Sequence, residues 1–449
     1  MPGPLKLVLG RDERPTVRVQ GRTHSSTGIS DDLLSARETR TPGAWKEGIS
    51  MARPLPLRAN LEWLKKLSKE RLDALRASQA DVKLSEAQRA VAQEYGFSSW
   101  RKLKTHVEQV REQLDAVVPA DVRRRAAAES VPPDDPDLAQ FLAAIEAGDV
   151  QAVNESLARR PALAVAHGPN GQTALHVAAQ CNDPNLATIL VACGGDLEAK
   201  LGQSGHSVLS WAVTCHAQEC ATALLKLGAE PDLFCAAGVG SLEHVRAFFD
   251  AAGNLILGAS RTGSTRYAPD GSRLPCPPAT AQDQISDALY IACRNGHVDV
   301  VQFLLAKQPD LSFRAYLGAT PLHWAYFGGS RRAVELLEQN GADVNARDDT
   351  LGCTPRSFGI CVPANWGFAF LVRARLADDP TLLDIMDGRT SPLHEAARNN
   401  QTEIVRLLLD HGANALLTNG DGKTPFDLAI GQHHVEVAAM LQNAAGKKS

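Results

Sequence analysis

No two of the nine cysteines (Cys181, Cys193, Cys215, Cys220, Cys235, Cys276, Cys293, Cys353 and Cys361) form a CxxC pair, and their spacing makes no even framework. That gives no basis for a zinc module or a disulfide scaffold. Reduced thiols packed as small apolar side chains are expected instead, as in a cytosolic protein. No run of eighteen apolar residues is present, so no membrane-spanning helix is expected. The opening MPGPLKLVLGRDERP has too short an apolar stretch, met too soon by charge, for a signal peptide. GxxxxGK, GxSxG, HExxH and a strand-bound GxGxxG are missing, and with them the sequence support for phosphate cradling and the common hydrolase sites. The expectation is a soluble cytoplasmic protein with no cofactor, no metal and no enzymatic activity.

What is there has a globular balance. The 449 residues are 44% hydrophobic and 22% charged, enough for about three conventional domains or one long repeat array. The net charge of −4 hides an asymmetry, with 24 Lys/Arg against 16 Asp/Glu up to residue 125 and 23 against 35 beyond it. An acidic main body makes nucleic acid an unexpected partner for that part.

Residues 1–52, rich in Arg, Thr, Ser and Gly without a sustained apolar period, read as a disordered leader. Met51 stands just before the first periodic segment, which makes it an alternative start to Met1. Residues 53–118 read as a helical module. LEWLKKLSKERLDAL puts Leu61, Leu64, Leu67, Leu72 and Leu75 mostly on one face. Ser85 is the expected N-cap of a second helix that stops at Gly96, and Ser98 or Ser99 that of a third. Residues 119–137, with RRR and VPPDDPD, read as a linker.

From 138 to 445 the chain repeats, and that outranks any single motif. The anchors are TALH at 173, SVLS at 207, TPLH at 320, TPRS at 354, SPLH at 391 and TPFD at 424, with weaker copies from Ala139, Pro231 and Asp287. Several successive starts lie 33 or 34 residues apart. Thr or Ser caps a helix through its side-chain oxygen, and Pro just after it supplies a fixed φ where its missing donor costs little. Nine positions after every anchor but the one at Thr354 stand Gly148, Asn182, His216, Gly240, Gly296, Gly329, Asn400 and His433. These residue types tolerate positive φ, so a turn is expected at each, and His216 and His433 read as turn residues rather than ligands. The Cys215, His216, Cys220 cluster reads as a helix end with two packed thiols, and Trp211 and Trp324, four positions after their anchors, read as core.

With GADVNARDDTLGCTP and HGANALLTNGDGKTP joining one helix pair to the next TP, the chain resembles the ankyrin-repeat family over residues 138–445, about nine units. The resemblance implies an all-α solenoid of helix pairs with β-hairpin fingers. The histidines of TPLH-type anchors, His176, His323 and His394, would then tie adjacent repeats together through backbone hydrogen bonds. It also implies a concave and finger surface that binds a protein partner, unidentified by sequence, at the positions ahead of each turn residue and on the fingers. Those are Gln180, Cys181, Thr214, Cys215, Arg294, Asn295, Phe327, Arg398, Asn399 and Gln432, with Asp348, Asp349 and Asp421 on fingers. Arg294, Phe327 and Arg398 lead this set, because Arg and aromatic side chains dominate interface energetics. AVAQEYGFSSWRKLK at 90–104 resembles a segment that precedes ankyrin arrays in some bacterial proteins, which implies a bacterial protein and a cap on the first repeat.

Three departures stand out. The unit at Ser207 is short, an insertion over 250–286 interrupts the array, and the unit at Thr354 has Arg356 in place of Leu and Pro363 in place of the turn Gly. The expected function is a monomeric protein-binding scaffold. Two alternatives remain: an enzyme regulator or adaptor whose insertion, with Tyr267, gates the groove, and a nucleic-acid-associated protein acting through Arg101, Lys102, Lys104 and Arg123–Arg125.

Overall fold

The computed structural model of the protein describes residues 61–76, 81–95, 97–117, 129–250, 252–268 and 270–446. The leader, the start at Met51, the Gly96 stop, the Arg123–Arg125 triplet and residues 447–449 lie outside them. The chain divides into two compact units, one of residues 61–212 and 217–230, the other of 213–216 and 231–446 within those limits.

The first unit opens with helices α1 (Leu61–Arg76), α2 (Leu84–Glu94) and α3 (Trp100–Val117). Their apolar stripes meet in a core of Leu64, Val91, Ala92, Tyr95, Leu103 and Val107, with Leu61, Leu67, Phe97 and Trp100 packed against it. The YGFxSW motif therefore supplies core side chains, and the Phe97 N–H donates to the Ala92 carbonyl at 2.8 Å to close the turn between α2 and α3. Ser99 caps α3, its Oγ accepting from the Lys102 N–H at 3.3 Å. Ser85 does not cap α2: the helix starts one residue earlier, and Lys83 stands at the cap position. Arg101 and Lys102 are exposed.

Nine helix pairs follow among the described residues. The first unit holds α4 (Pro136–Glu146) with α5 (Val150–Arg159), α6 (Ala174–Gln180) with α7 (Pro184–Ala192), and α9 (Gln218–Leu227) with its partner α8 (Val208–Thr214), whose last two residues are counted with the second unit. The second unit holds α10 (Leu233–Val239) with α11 (Leu242–Ala247), α12 (Ala281–Arg294) with α13 (Val298–Leu305), and α14 (Pro321–Gly328) with α15 (Arg331–Gln339). It continues with α16 (Pro355–Trp366) and α17 (Ala369–Asp378), α18 (Pro392–Arg398) and α19 (Thr402–Asp410), then α20 (Pro425–Gly431) and α21 (Val435–Gly446). Within the second unit the first helices α10, α12, α14, α16, α18 and α20 pack each on the next. Gly328 makes one such approach possible, since a Cβ there would lie 2.5 Å from the Arg294 carbonyl oxygen.

The local rules written in the sequence are visible in the backbone. All eight anticipated turn residues have positive φ, between 53° and 79°. Hairpin fingers close just before a cap: Gly168 donates to the Gln172 carbonyl at 2.7 Å ahead of Thr173, and Asn419 to the Lys423 carbonyl at 2.8 Å ahead of Thr424. One finger is long enough to pair as strands, β1 (Lys200–Leu201) antiparallel to β2 (His206–Ser207).

Two units depart from the expected frame. α16 runs through Pro363 and ends one turn late, at Gly367 with φ 91°. The repeat placed at Asp287 starts at Thr280, whose Oγ1 accepts from the Asp283 N–H at 3.0 Å. Residues 281–286 of the supposed insertion are therefore helix, and Asp287 lies inside α12.

Candidate protein-interaction surface

The anchor histidines use both ring nitrogens. His323 Nδ1 accepts from the Thr320 N–H at 3.2 Å with Thr320 Oγ1 at 2.8 Å, and Nε2 lies 3.1 Å from the Cys353 carbonyl. His176 has the same contacts to Thr173, at 3.2 and 2.9 Å, and to the His206 carbonyl at 3.3 Å. His394 sits 2.7 Å from Ser391 Oγ and 3.0 Å from the Lys423 carbonyl. A backbone N–H donating to Nδ1 fixes the proton on Nε2, where it meets the carbonyl some thirty residues ahead, as in His323 and Cys353. Burial disfavours the imidazolium and pulls His176 and His323 down to about 4; it lowers His394 as well.

A second row of links was not visible in the sequence frame. The carbonyl two residues before a turn residue is taken by a side chain of the following repeat. Gly238 O lies 2.9 Å from His297 Nε2, Phe327 O accepts from Arg375 at 2.7 Å, Asn365 O from Gln401 at 3.0 Å, and Arg398 O lies 3.1 Å from His434 Nε2. His297, Gln401 and His434 each stand one residue after a positive-φ position, a spacing that would have served as the signal.

These links and their surroundings change the list of surface candidates. Arg294 is 1% exposed and Phe327 is 3% exposed. Tyr290, Trp324 and Phe327 cover the guanidinium, which lies 5.1 Å from the Trp324 ring centre and 5.7 Å from that of Phe327. Phe327 in turn meets Trp366 and Phe368. Asn295 is buried because its amide donates to the Val213 and Gly238 carbonyls at 3.2 and 2.8 Å, and its oxygen lies 3.0 Å from His216 Nδ1. Asp348 is buried because its carboxylate holds the finger, accepting from the Thr350, Leu351 and Cys353 N–H groups at 2.8, 2.7 and 2.7 Å. Cys215 is fully buried. As free surface contacts, these five are corrected.

The rest keep access. Gln180, Cys181, Thr214, Arg398 and Asn399 are half-buried, while Asp349, Asp421 and Gln432 are exposed. Arg398 pairs at 3.6 Å with Glu395, a buried carboxylate that also accepts from Asn365 and Thr390, both at 2.7 Å. Burial pushes the Cys181 thiol up to about 11, which keeps it a neutral, unreactive neighbour on this surface.

The insertion is held down by two carboxylates whose role the sequence did not announce. Asp232 accepts from the Cys235 N–H at 2.8 Å, capping α10 with one oxygen. Its other oxygen takes the Arg261 N–H at 2.8 Å, the Thr262 N–H at 2.6 Å and the Thr262 hydroxyl at 2.7 Å. Asp287 accepts from the Ser264 N–H at 2.9 Å and from the Ser264 hydroxyl. Burial pushes Asp287 up to about 6, against the pull of those Ser264 bonds. Beyond this clasp, Tyr267 bridges to Arg273 and stands well exposed.

Among the described residues no helix is long and apolar enough to cross a membrane. The family described as ankyrin repeats in three copies matches residues 141–235, 273–348 and 366–448, more than half of the chain. Similar curated proteins include an ankyrin repeat protein of fowlpox virus, 31% identical over 144 residues, covering 32% of this chain and 31% of its own. Ankyrin repeat and SOCS box protein 11 of Homo sapiens is 32% identical over 124 residues, 28% of this chain and 36% of that protein. A palmitoyltransferase of Lachancea kluyveri is 28% identical over 174 residues, 31% of this chain and 24% of its own. The chain spans about a third or less of these relatives, which are viral, animal and fungal and lend nothing to a bacterial origin. Helix pairs closed by Thr-Pro caps, positive-φ turns and hairpin fingers, together with the matched segments, make this chain a member of the ankyrin-repeat family, whose repeats are a protein-interaction module.

Proposed function

We propose that the protein is a non-enzymatic, monomeric cytoplasmic scaffold that grips a protein partner through the accessible positions ahead of its turns and on its fingers. The observation that carries this reading is the exposure left at Arg398, Asn399, Gln432, Asp349 and Asp421, when the equivalent places at 294, 295 and 327 are filled by the chain itself. Asn399 at the end of α18 and Gln432 at the end of α20 occupy one position in successive repeats, just before the turn residue, and Arg398 stands one residue ahead of Asn399. A partner therefore meets a guanidinium and two amides side by side, rimmed by finger carboxylates. Thr214 holds a corresponding place in the same unit, and Gln180 and Cys181 do so in the other. A cytoplasmic setting accords with nine free cysteines, all buried or half-buried except Cys276.

Affinity capture with the full chain, compared with an Arg398→Ala, Gln432→Ala double variant, tests the assignment. A captured protein should lose roughly tenfold or more in affinity if Arg398 is a central anchor. The same partner held equally well by the double variant would remove these residues from the interface. The alternative in which the insertion opens and closes draws no support from residues 261–264, whose backbone the two buried carboxylates hold.

A further inference from the structure

Arg294 carries a full positive charge into the interior of the second unit with nothing negative to meet it. Its side chain is 1% exposed, and Nε and Nη1 are buried without a hydrogen-bond partner. The residue three positions before it is Ile291, so the helix offers no carboxylate at ion-pair spacing. Asp287, seven positions back on the same face of α12, is two turns or about 10 Å away along the axis, and Ser264 occupies it. The phenols nearby do not compensate: burial pushes Tyr290 up to about 12 and raises Tyr316, so both are neutral at pH 7. The Tyr290 hydroxyl accepts one hydrogen bond from the guanidinium, and the aromatic faces attract the cation but give Nε and Nη1 no acceptor.

A third donor lies in the same cluster. Trp324 Nε1 is buried and has no acceptor, in the ring whose centre is 5.1 Å from the guanidinium carbon. Three unpartnered donors, Arg294 Nε and Nη1 and Trp324 Nε1, inside an aromatic wall of Tyr290, Phe327 and Phe358, make up one half of a recognition pair. The side chains of the cluster that keep an edge in solvent are Tyr316 and Trp366, whose ring centres lie 6.3 Å apart.

We propose that Arg294 and Trp324 form a binding site for a small oxyanion, a carboxylate or a phosphate, entered past Tyr316 and Trp366. The guanidinium supplies the charge and two N–H donors, the indole a third, and the aromatic wall excludes water that would weaken them. Selection is for negative charge and for oxygen acceptors, because the guanidinium repels cations and the three unpartnered N–H groups need acceptors. The site is independent of partner binding at Arg398.

Tryptophan emission of the full chain, titrated with sodium phosphate and separately with sodium acetate at constant ionic strength set by sodium chloride, tests this. A saturable change with either anion supports the site, and the two arms tell which oxyanion it prefers; a merely linear drift in both overturns it. Arg294→Met fills the place without charge or donors and should abolish the saturable response, whereas an unchanged response would place the anion elsewhere. Trp324→Phe keeps the ring and removes one donor, so it serves even where Arg294→Met fails to fold. Its affinity should fall roughly tenfold for one hydrogen bond to an anion, and equal affinity would overturn the assignment.

Discussion

Arg294 and Arg398 occupy the same place in their repeats, two residues before a positive-φ turn residue, yet their surroundings are opposite. Arg398 has Glu395 three residues earlier and meets its carboxylate at 3.6 Å with the side chain 38% exposed. Arg294 has Ile291 there and is sealed against Trp324 and Phe327. The repeat frame fixes where a backbone goes. What covers the side chain depends on residues outside the frame: the Trp four places after one anchor, the Glu395 four places after another, and the Trp366 that a helix lengthened past Pro363 brings alongside.

That contrast is broken most forcefully at its centre. Trp324→Ala should cost roughly 3–5 kcal/mol, because the ring is fully buried among Tyr290, Tyr316, Phe327, Phe358 and Trp366. Leu428→Ala, at the equivalent position of a half-buried repeat, should cost only about 1 kcal/mol. Urea midpoints of the two variants would compare them, and similar values would mean that the aromatic cluster is not where the second unit keeps its stability.

The clasp on the insertion comes next. Asp232→Ala removes a cap and leaves the Arg261 and Thr262 N–H groups without their acceptor, so about 2–3 kcal/mol is expected to be lost. Limited proteolysis should then cut in the exposed stretch around Leu257 well before the parent chain is touched. Equal cutting rates would show that the loop is held by other means.

How much of this was legible follows from the range of each interaction. Thr320, Pro321 and Gly329 were placed correctly because capping, a fixed φ and a positive φ are decided within one turn of chain. The contacts of His176, His323 and His394 followed from resemblance. The burial of Phe327 was not legible, because it is set by Trp366, whose position depends on Pro363 being carried inside a helix, and that of Arg294 was not, because it is set by Trp324 and Phe327 on a neighbouring helix. Thr280 was missed as a cap because no TP-type anchor accompanies it, and Asp232 and Asp287 were missed as clasps because their partners lie 23 to 30 residues away.

The smaller effects separate two jobs that one anchor residue performs. In the last repeat Asp427 does only the local job: Oδ2 accepts from the Thr424 N–H at 2.8 Å and from its hydroxyl at 2.7 Å. His323 does that and also donates to Cys353 in the next repeat. Gln in place of His323 can complete the capping box but leaves the buried Cys353 carbonyl unpaired, so His323→Gln should cost about 1–2 kcal/mol. Asp427→Ala should cost at most about 1 kcal/mol, the worth of an exposed cap. Acid sharpens the difference. The folded state lowers His323 from 6.5 to about 4, so the unfolded chain binds the extra proton first as pH falls. The neutral ring's contribution is whole above pH 6.5 and is lost on the way down to about 4. Stability measured at pH 7, 5.5 and 4.5 should therefore fall less steeply in His323→Gln than in the parent, whereas parallel curves would mean that burial does not hold the His323 ring neutral.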